Sequence, residues 1–389
     1  MAEVPIQIFG DDHAISAPRV FFAAHRYVQG PGVLGRLCRY LPLVKSIKPA
    51  ILYPVDLPES ILYTVKLAFE GSSTSLHWAE FGGQCSHEEI DRQVAALRPL
   101  SVDSLIAIGG GKVIDAAKCV AHRLGVALIV CPTLASTDAP CSAAAVVYTA
   151  EGVFKDVEFF PGNPDLVVVD TAIIAKAPLR FLLAGMADAL ATGYEARTCI
   201  QNTKARSMVG GRISIAASTL ANICSETIFT YADDAVAAAK AGIPDHAFEQ
   251  VVEANTLLSG TGFESGGLAA AHSVASALTL VPSIEHGFLH GEMVAVGTMI
   301  HLQLENDLVE LERVEELLAR LGLPRALSDL GVEVRDGSEA LDTIVDAACS
   351  MPFMQNEPFT VTASLLRNAI TAVEVRRQSQ VPQRRDRQI

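Results

Sequence analysis

Cationic residues are in short supply in this chain. Thirty Lys and Arg stand against 44 Asp and Glu in 389 residues, a formal net charge of −14 at pH 7. That balance speaks against nucleic acid and against an anionic membrane surface as partners, since both recruit clustered cations. Cysteine pairing is absent as well: Cys38, Cys85, Cys119, Cys131, Cys141, Cys199, Cys224 and Cys349 form no CxxC pair and keep no regular spacing. A disulfide framework and a four-thiolate metal site are thereby excluded, and the thiols read as reduced and mostly buried. No uninterrupted apolar stretch reaches the roughly 18 residues of a membrane span. The start MAEVPIQIFGDDHAIS has no basic segment followed by an apolar run, so no export signal is expected. These absences leave a cytoplasmic, non-membrane protein as the expectation.

What is present is a large apolar fraction. Half of the residues are hydrophobic and about a fifth are charged, enough to bury a sizeable core, and the length allows two domains. Short apolar runs at 49–54 (PAILYP), 104–109 (SLIAIG), 127–132 (ALIVCP) and 166–170 (LVVVD) have the length of strands, and helix-like segments separate several of them. Such alternation predicts a parallel sheet with crossover helices. From about residue 180 the sequence turns to long Ala- and Leu-rich stretches that predict a helical domain. The expected division falls at Ala177-Pro178, giving an α/β domain over 1–177 and an all-α domain over 178–389. The tail VRRQSQVPQRRDRQI, with five arginines, reads as a frayed, solvated terminus.

Three segments carry candidate chemistry. In AIGGGKVIDAAKCVA (107–121), Gly109-Gly110-Gly111-Lys112 follows a strand and opens a helix with Val113, Ile114, Ala117 and Val120 on one face. Glycines let a backbone approach a pyrophosphate, and the free amides of a helix start supply donors. The pattern is neither GxGxxG nor GK[ST], because Val113 follows the lysine, and by itself a plain strand-to-helix turn explains it equally well. The second segment, TLASTDAPCSAAAVVYT (133–149), sets Thr133, Ser136, Thr137, Asp138 and Ser142 where the next strand leaves the sheet, and open α/β sheets bind ligands beyond the carboxyl ends of their strands. Standing alone it would be a polar loop with a capping aspartate. The third feature is Asp188 in the apolar LLAGMADALATGYEAR, where an unpaired carboxylate is costly and a cation is expected as partner. His272 and His290 lie in apolar helical surroundings 18 residues apart. One carboxylate and two imidazoles make a three-ligand zinc site with an open position, although each histidine taken singly is more often a satisfied core residue than a ligand.

Taken together, these motifs resemble the glycerol dehydrogenases, a zinc-dependent branch of the iron-containing alcohol dehydrogenase superfamily with the dehydroquinate synthase-like fold. The resemblance runs through PRVFFAAHRYVQGPGVLGRL, FGGQCSHEEIDR, AIGGGKVIDAAK, PTLASTDAPCSA, PDLVVVD, AGMADALATGYEAR, GFESGGLAAAHS and HGEMVAVGT and covers most of the chain. It implies an amino-terminal dinucleotide-binding α/β domain, a helical metal-binding domain and an active site between them. It also implies zinc on Asp188, His272 and His290. NAD contacts are implied at Gly110, Gly111, Lys112, Val113, Ile114, Asp115, Thr133, Ser136, Ser142, Ala144 and Tyr148, with Asp138 facing the hydroxyls of the substrate. Thr192 stands where iron-using relatives carry a fourth ligand, which favours zinc. Ala275 replaces the second histidine of the family's HxxH. Pro54 stands where many relatives place a ribose-binding aspartate, with Asp56 two residues on.

The activity so implied is oxidation of glycerol, or a similar small polyol, to dihydroxyacetone by zinc-assisted hydride transfer to NAD. Asp138 and His286 are candidates to take up the released proton. A homo-oligomer, up to an octamer, is implied as well. The same architecture hosts glycerol-phosphate dehydrogenases and dehydroquinate synthase-type lyases, but their phosphate-bearing substrates call for several Lys or Arg residues that are scarce around this site. A relative that binds nucleotide and metal without turnover is the remaining alternative, motivated by Ala275.

Overall fold

The computed structural model describes residues 17–335 and 337–379. The long amino-terminal lead-in, for which the sequence suggests no role, lies mostly outside these residues, as does the end of the arginine-rich tail. The first half runs β1 (Arg19–Val20), β2 (Tyr27–Gly30), β3 (Pro49–Pro54), α1 (Glu59–Ala68), β4 (His77–Phe81), α2 (His87–Leu97), β5 (Ser104–Gly109), α3 (Gly111–Leu124), β6 (Ala127–Pro132), β7 (Ala144–Tyr148), β8 (Phe154–Phe159) and β9 (Leu166–Asp170). The four apolar runs are β3, β5, β6 and β9, residue for residue. β2 and β4 are additional strands. They lie at the two edges of the sheet, where HWAEF alternates between exposed and covered residues instead of forming an apolar run.

Six strands form one parallel sheet in the order β2-β9-β6-β5-β3-β4. Successive side chains of each strand enter opposite layers. Ile51, Ile106, Ile108, Ile129 and Val168 pack beneath α1, whereas Leu52, Leu105, Ala107, Val130 and Val169 pack with α2 and α3. Because both faces are covered, the strands read as continuous hydrophobic runs. The chain leaves β3 toward β4 on one side and returns to β5 on the other, so the carboxyl ends of β3 and β5 flank the point where the strand order reverses. In open α/β sheets that point is a crevice for ligands.

Helices dominate after residue 178: α4 (Leu179–Gln201), α5 (Ile215–Ala241), α6 (His246–Glu253), α7 (Ser259–Gly266), α8 (Ala270–Leu278), α9 (His290–Leu304), α10 (Leu308–Leu321), α11 (Glu339–Ser350) and α12 (Ala363–Ser379). A two-residue strand, β10 (Arg212–Ile213), pairs with β1 and ties the start of the chain to this half. The arginine-rich tail departs from expectation over its first residues. It is helical as far as Ser379, with Arg376 bonded to Glu315 and Arg377 Nε donating to Asp329 at 2.9 and 3.0 Å.

Helix α9 lies unusually close to α4. A Cβ placed on Gly291 would stand 1.8 Å from the Ala184 carbonyl oxygen, so only glycine allows this approach one residue after His290. Gly291→Ala is expected to force the helices apart and to lower stability by about 1–3 kcal/mol, the usual cost of overpacking. Thermal denaturation measures it; an unchanged melting temperature would mean that the contact is not tight.

Candidate active site

Asp188 occupies the middle of α4, His272 the third position of α8 and His290 the first of α9. These helices bring the three side chains together, with one ligand atom from each within 4.8 Å of the others. Both histidine Nε2 atoms approach Asp188 Oδ1 at 3.4 Å, and the two rings are 5.5 Å apart. Neither contact has hydrogen-bond alignment: both Asp188 oxygens are buried without a hydrogen-bond partner. Burial pushes the Asp188 carboxyl up, but the imidazoles of His290 and His272 outweigh it and hold the group well below the usual range. Two orphan carboxylate oxygens facing two imidazole nitrogens match the donor set of a divalent metal, since a buried charge requires a counter-ion.

The supports of the two histidines leave little trace in the sequence. Glu195, fully buried, lies within 2.5 Å of His272 Nδ1. It follows Asp188 by seven residues, two helical turns, so the two carboxylates share a face of α4; that spacing was its only sequence signal. At α9, Glu292 accepts from the Leu289 amide at 2.8 Å and is gripped by Arg180 at 2.6 and 2.7 Å. Burial pushes the His272 imidazole down, yet Glu195 and Asp188 prevail and raise it well above its ordinary value.

Asp138 precedes a short turn, Ala139–Cys141. Ser259 Oγ donates to its Oδ2 at 3.2 Å, and Ser259 lies 3.0 Å from Thr192 Oγ1. This chain of hydroxyls connects Asp138 to the turn of α4 that follows Asp188. Burial, reinforced by the Asp188 charge, pushes the Asp138 carboxyl up to about 7. Thr192 contributes a hydroxyl where an imidazole would add a fourth ligand. Ala275 is buried in the core, and His286 is exposed in the short helix Pro282–Gly287 before α9.

The glycine loop sits at the strand-order reversal. Gly110 caps α3, and Gly109 is so close to the end of β3 that an added Cβ would meet Pro54 Cδ at 3.3 Å. Around Gly111, by contrast, an added Cβ would meet nothing within 4 Å. Lys112 is exposed and its Nζ lies 5.6 Å from the Tyr148 ring, which brings two of the expected cofactor residues together. The Thr133 amide donates to the Gly109 carbonyl at 3.0 Å, and Ser136 is partly exposed in the same loop.

Other expected cofactor residues are engaged within the protein. Val113 and Ile114 bury their side chains, and their amides donate to the Gly110 carbonyl. Asp115, Ser142 and the Ala144 carbonyl surround the buried Lys118 Nζ at 3.3, 3.0 and 2.6 Å. Lys118, two turns into α3, was not marked by any sequence pattern, yet it fixes the loop that follows Asp138.

Comparison with known proteins places the chain in a family. The model of the iron-containing alcohol dehydrogenase family matches residues 24–171. A glycerol dehydrogenase of Escherichia coli O6:H1 is 42% identical over 335 residues, 85% of this chain and 90% of that protein. A glycolaldehyde reductase of Halobacterium salinarum is 40% identical, covering 91% of this chain and 97% of the relative. The crystal structure of glycerol dehydrogenase from Schizosaccharomyces pombe superposes with a TM-score of 0.85 at 35% identity, covering 93% of this chain and 91% of that one. Among the described residues no helix is long and apolar enough to cross a membrane. The chain therefore belongs to the glycerol dehydrogenases of the iron-containing alcohol dehydrogenase family and is an oxidoreductase.

Proposed function

We propose that the protein oxidises glycerol, or a similar small vicinal diol, to the hydroxyketone, with NAD as hydride acceptor and with zinc held by Asp188, His272 and His290. The observation that carries this reading is the pair of unpartnered Asp188 carboxylate oxygens facing two imidazole nitrogens, beside the Asp138 carboxylate, which Ser259 and Thr192 link to the Asp188 backbone carbonyl. One carboxylate with two imidazoles suits zinc, and Thr192 withholds the further imidazole that would complete a four-ligand set. The residues to 177 would hold the nucleotide and those from 178 the metal. Eight unpaired cysteines, six of them buried, suit a reducing compartment such as the cytoplasm, and we extend the family's homo-oligomeric assembly to this chain.

In this site a zinc ion would supply Lewis acidity toward a substrate hydroxyl, and the nicotinamide would supply the hydride acceptor. The protein's own part is positioning. The Gly111 and Lys112 amides at the start of α3 would serve a pyrophosphate, with Gly111 leaving room for it and Lys112 adding a cation. Asp138 accepts a hydrogen bond from a substrate hydroxyl on Oδ1 while Ser259 holds Oδ2. Asp138→Asn is expected to keep its metal and its NADH affinity and to lose roughly 10²- to 10⁴-fold in kcat. Activity close to that of the wild type would remove Asp138 from the chemistry.

Phosphorylated substrates fit poorly, because Arg197 is already bound to Glu305 and Asp307 at 3.0 Å each. The reading is tested by kcat/KM over a panel of glycerol, 1,2-propanediol, 2,3-butanediol, glycerol phosphate, and, in the reducing direction, dihydroxyacetone and glycolaldehyde. Preference for a neutral diol and its ketone is expected; preference for the phosphate ester would overturn it.

A further inference from the structure

Helix α8 starts without a cap of its own. Ala269 occupies the N-cap position and offers no side-chain oxygen, yet its first amides are buried and must find acceptors. Two carboxylates from distant segments provide them. Glu195 Oε1 accepts from the Ala269 amide at 2.7 Å and the His272 amide at 2.9 Å, while its Oε2 meets His272 Nδ1 at 2.5 Å. Glu357 Oε1 accepts from the Ala270 amide at 3.1 Å and lies 3.1 Å from His301 Nδ1. The opposite nitrogen of His301 stands 3.3 Å from Thr198 Oγ1 and 3.6 Å from Glu305 Oε2. Glu195, His301 and Thr198 are fully buried and Glu357 nearly so.

We propose that Glu195 is the positioning residue of the metal triad: in a clamp shared with Glu357 and His301 it seats the start of α8 and aims His272 Nε2 at the metal position. The proposal rests on the metal reading of Asp188, His272 and His290 given above. Two roles meet in one carboxylate. As a cap, Glu195 fixes the backbone that carries His272. As an acceptor, it binds the proton on Nδ1, so that the neutral ring presents a bare Nε2 to a metal. One helix thereby supplies both a candidate ligand, Asp188, and the group that orients a second ligand two turns away. Three buried carboxylates in one region would be costly without a cation. His301 supplies it: burial pushes its imidazole down, but Glu357 and Glu305 prevail and raise it to about 9.

Glu195→Gln separates the two roles. A glutamine keeps an oxygen for the α8 amides, but its amide nitrogen donates, which demands an acceptor at Nδ1 and leaves the proton on Nε2, where a metal should bind. Zinc affinity of the metal-stripped full-length protein, measured by competition with a chromophoric chelator, is expected to fall roughly 10- to 100-fold in Glu195→Gln, with NADH affinity unchanged. Wild-type zinc affinity in Glu195→Gln, with loss confined to Glu195→Ala, would make Glu195 a helix cap only and overturn the proposal. Failure of the wild type itself to bind zinc would instead overturn the metal reading beneath it. A second measurement does not depend on how the variants fold: histidine-selective nitrogen NMR of the zinc-loaded wild type. It should show His272 protonated at Nδ1 and ligating through Nε2; ligation through Nδ1 would contradict the clamp.

Discussion

His272→Ala and His290→Ala proteins should each lose most of their zinc and nearly all turnover, while still binding NADH. Each substitution removes one of the three proposed protein donors and one of the two imidazoles that face the buried Asp188. The loss should far exceed the roughly 10- to 100-fold typical of groups standing behind the ligands, because the Lewis acid itself is absent. NADH binding should survive because the glycine loop lies between β5 and α3, whereas the two histidines lie on α8 and α9. His286→Ala is the control: its side chain is exposed four residues before His290, so zinc should stay and activity fall only modestly. Metal analysis decides the matter. Full zinc occupancy in His272→Ala would remove that residue from the ligand set, and zinc loss in His286→Ala would move the assignment by four residues.

Gly111→Asp should weaken nucleotide binding on the order of 100-fold or more while leaving zinc content unchanged. A carboxylate about 4 Å from a pyrophosphate charge opposes it by roughly 4 kcal/mol at an effective dielectric of about 20, and every 1.4 kcal/mol or so is tenfold in affinity. The apoprotein should not suffer. The new Cβ points into open space, and an aspartate in the first turn of α3 interacts favourably with the helix dipole. Weaker nucleotide binding in a protein that melts no lower than the wild type is therefore the expected signature. Unchanged NADH affinity, read by fluorescence titration, would reduce the glycine loop to a strand-to-helix turn.

The sequence exposes the parts of this fold whose physics is local. β3, β5, β6 and β9 are covered on both faces, so each is a continuous apolar run bounded by turn residues, and its limits can be read directly. The edge strand β4 is half solvated and carries His77 and Glu80, so no run marks it. The start of α4 is legible because Pro178 punctuates it. The triad is legible for a different reason: a carboxylate and two histidines in apolar helices are anomalies that demand partners. Their supports are hidden because they depend on tertiary proximity. Glu357 meets Ala270 across 87 residues, and Lys118 meets Ser142 and Ala144 from another element. Val113 and Ile114, which the resemblance implies at the cofactor, turn their side chains into the core, as the apolar face they share in the sequence indicates.

The central claim, metal-dependent oxidation of a small diol by NAD, is tested most directly by NADH formation from glycerol with purified protein. It should be measured before chelation, after chelation and after zinc is restored. Activity that disappears with the chelator and returns with zinc, while NADH binding persists throughout, is the predicted result. Undiminished glycerol oxidation by protein shown to be free of metal would contradict the account.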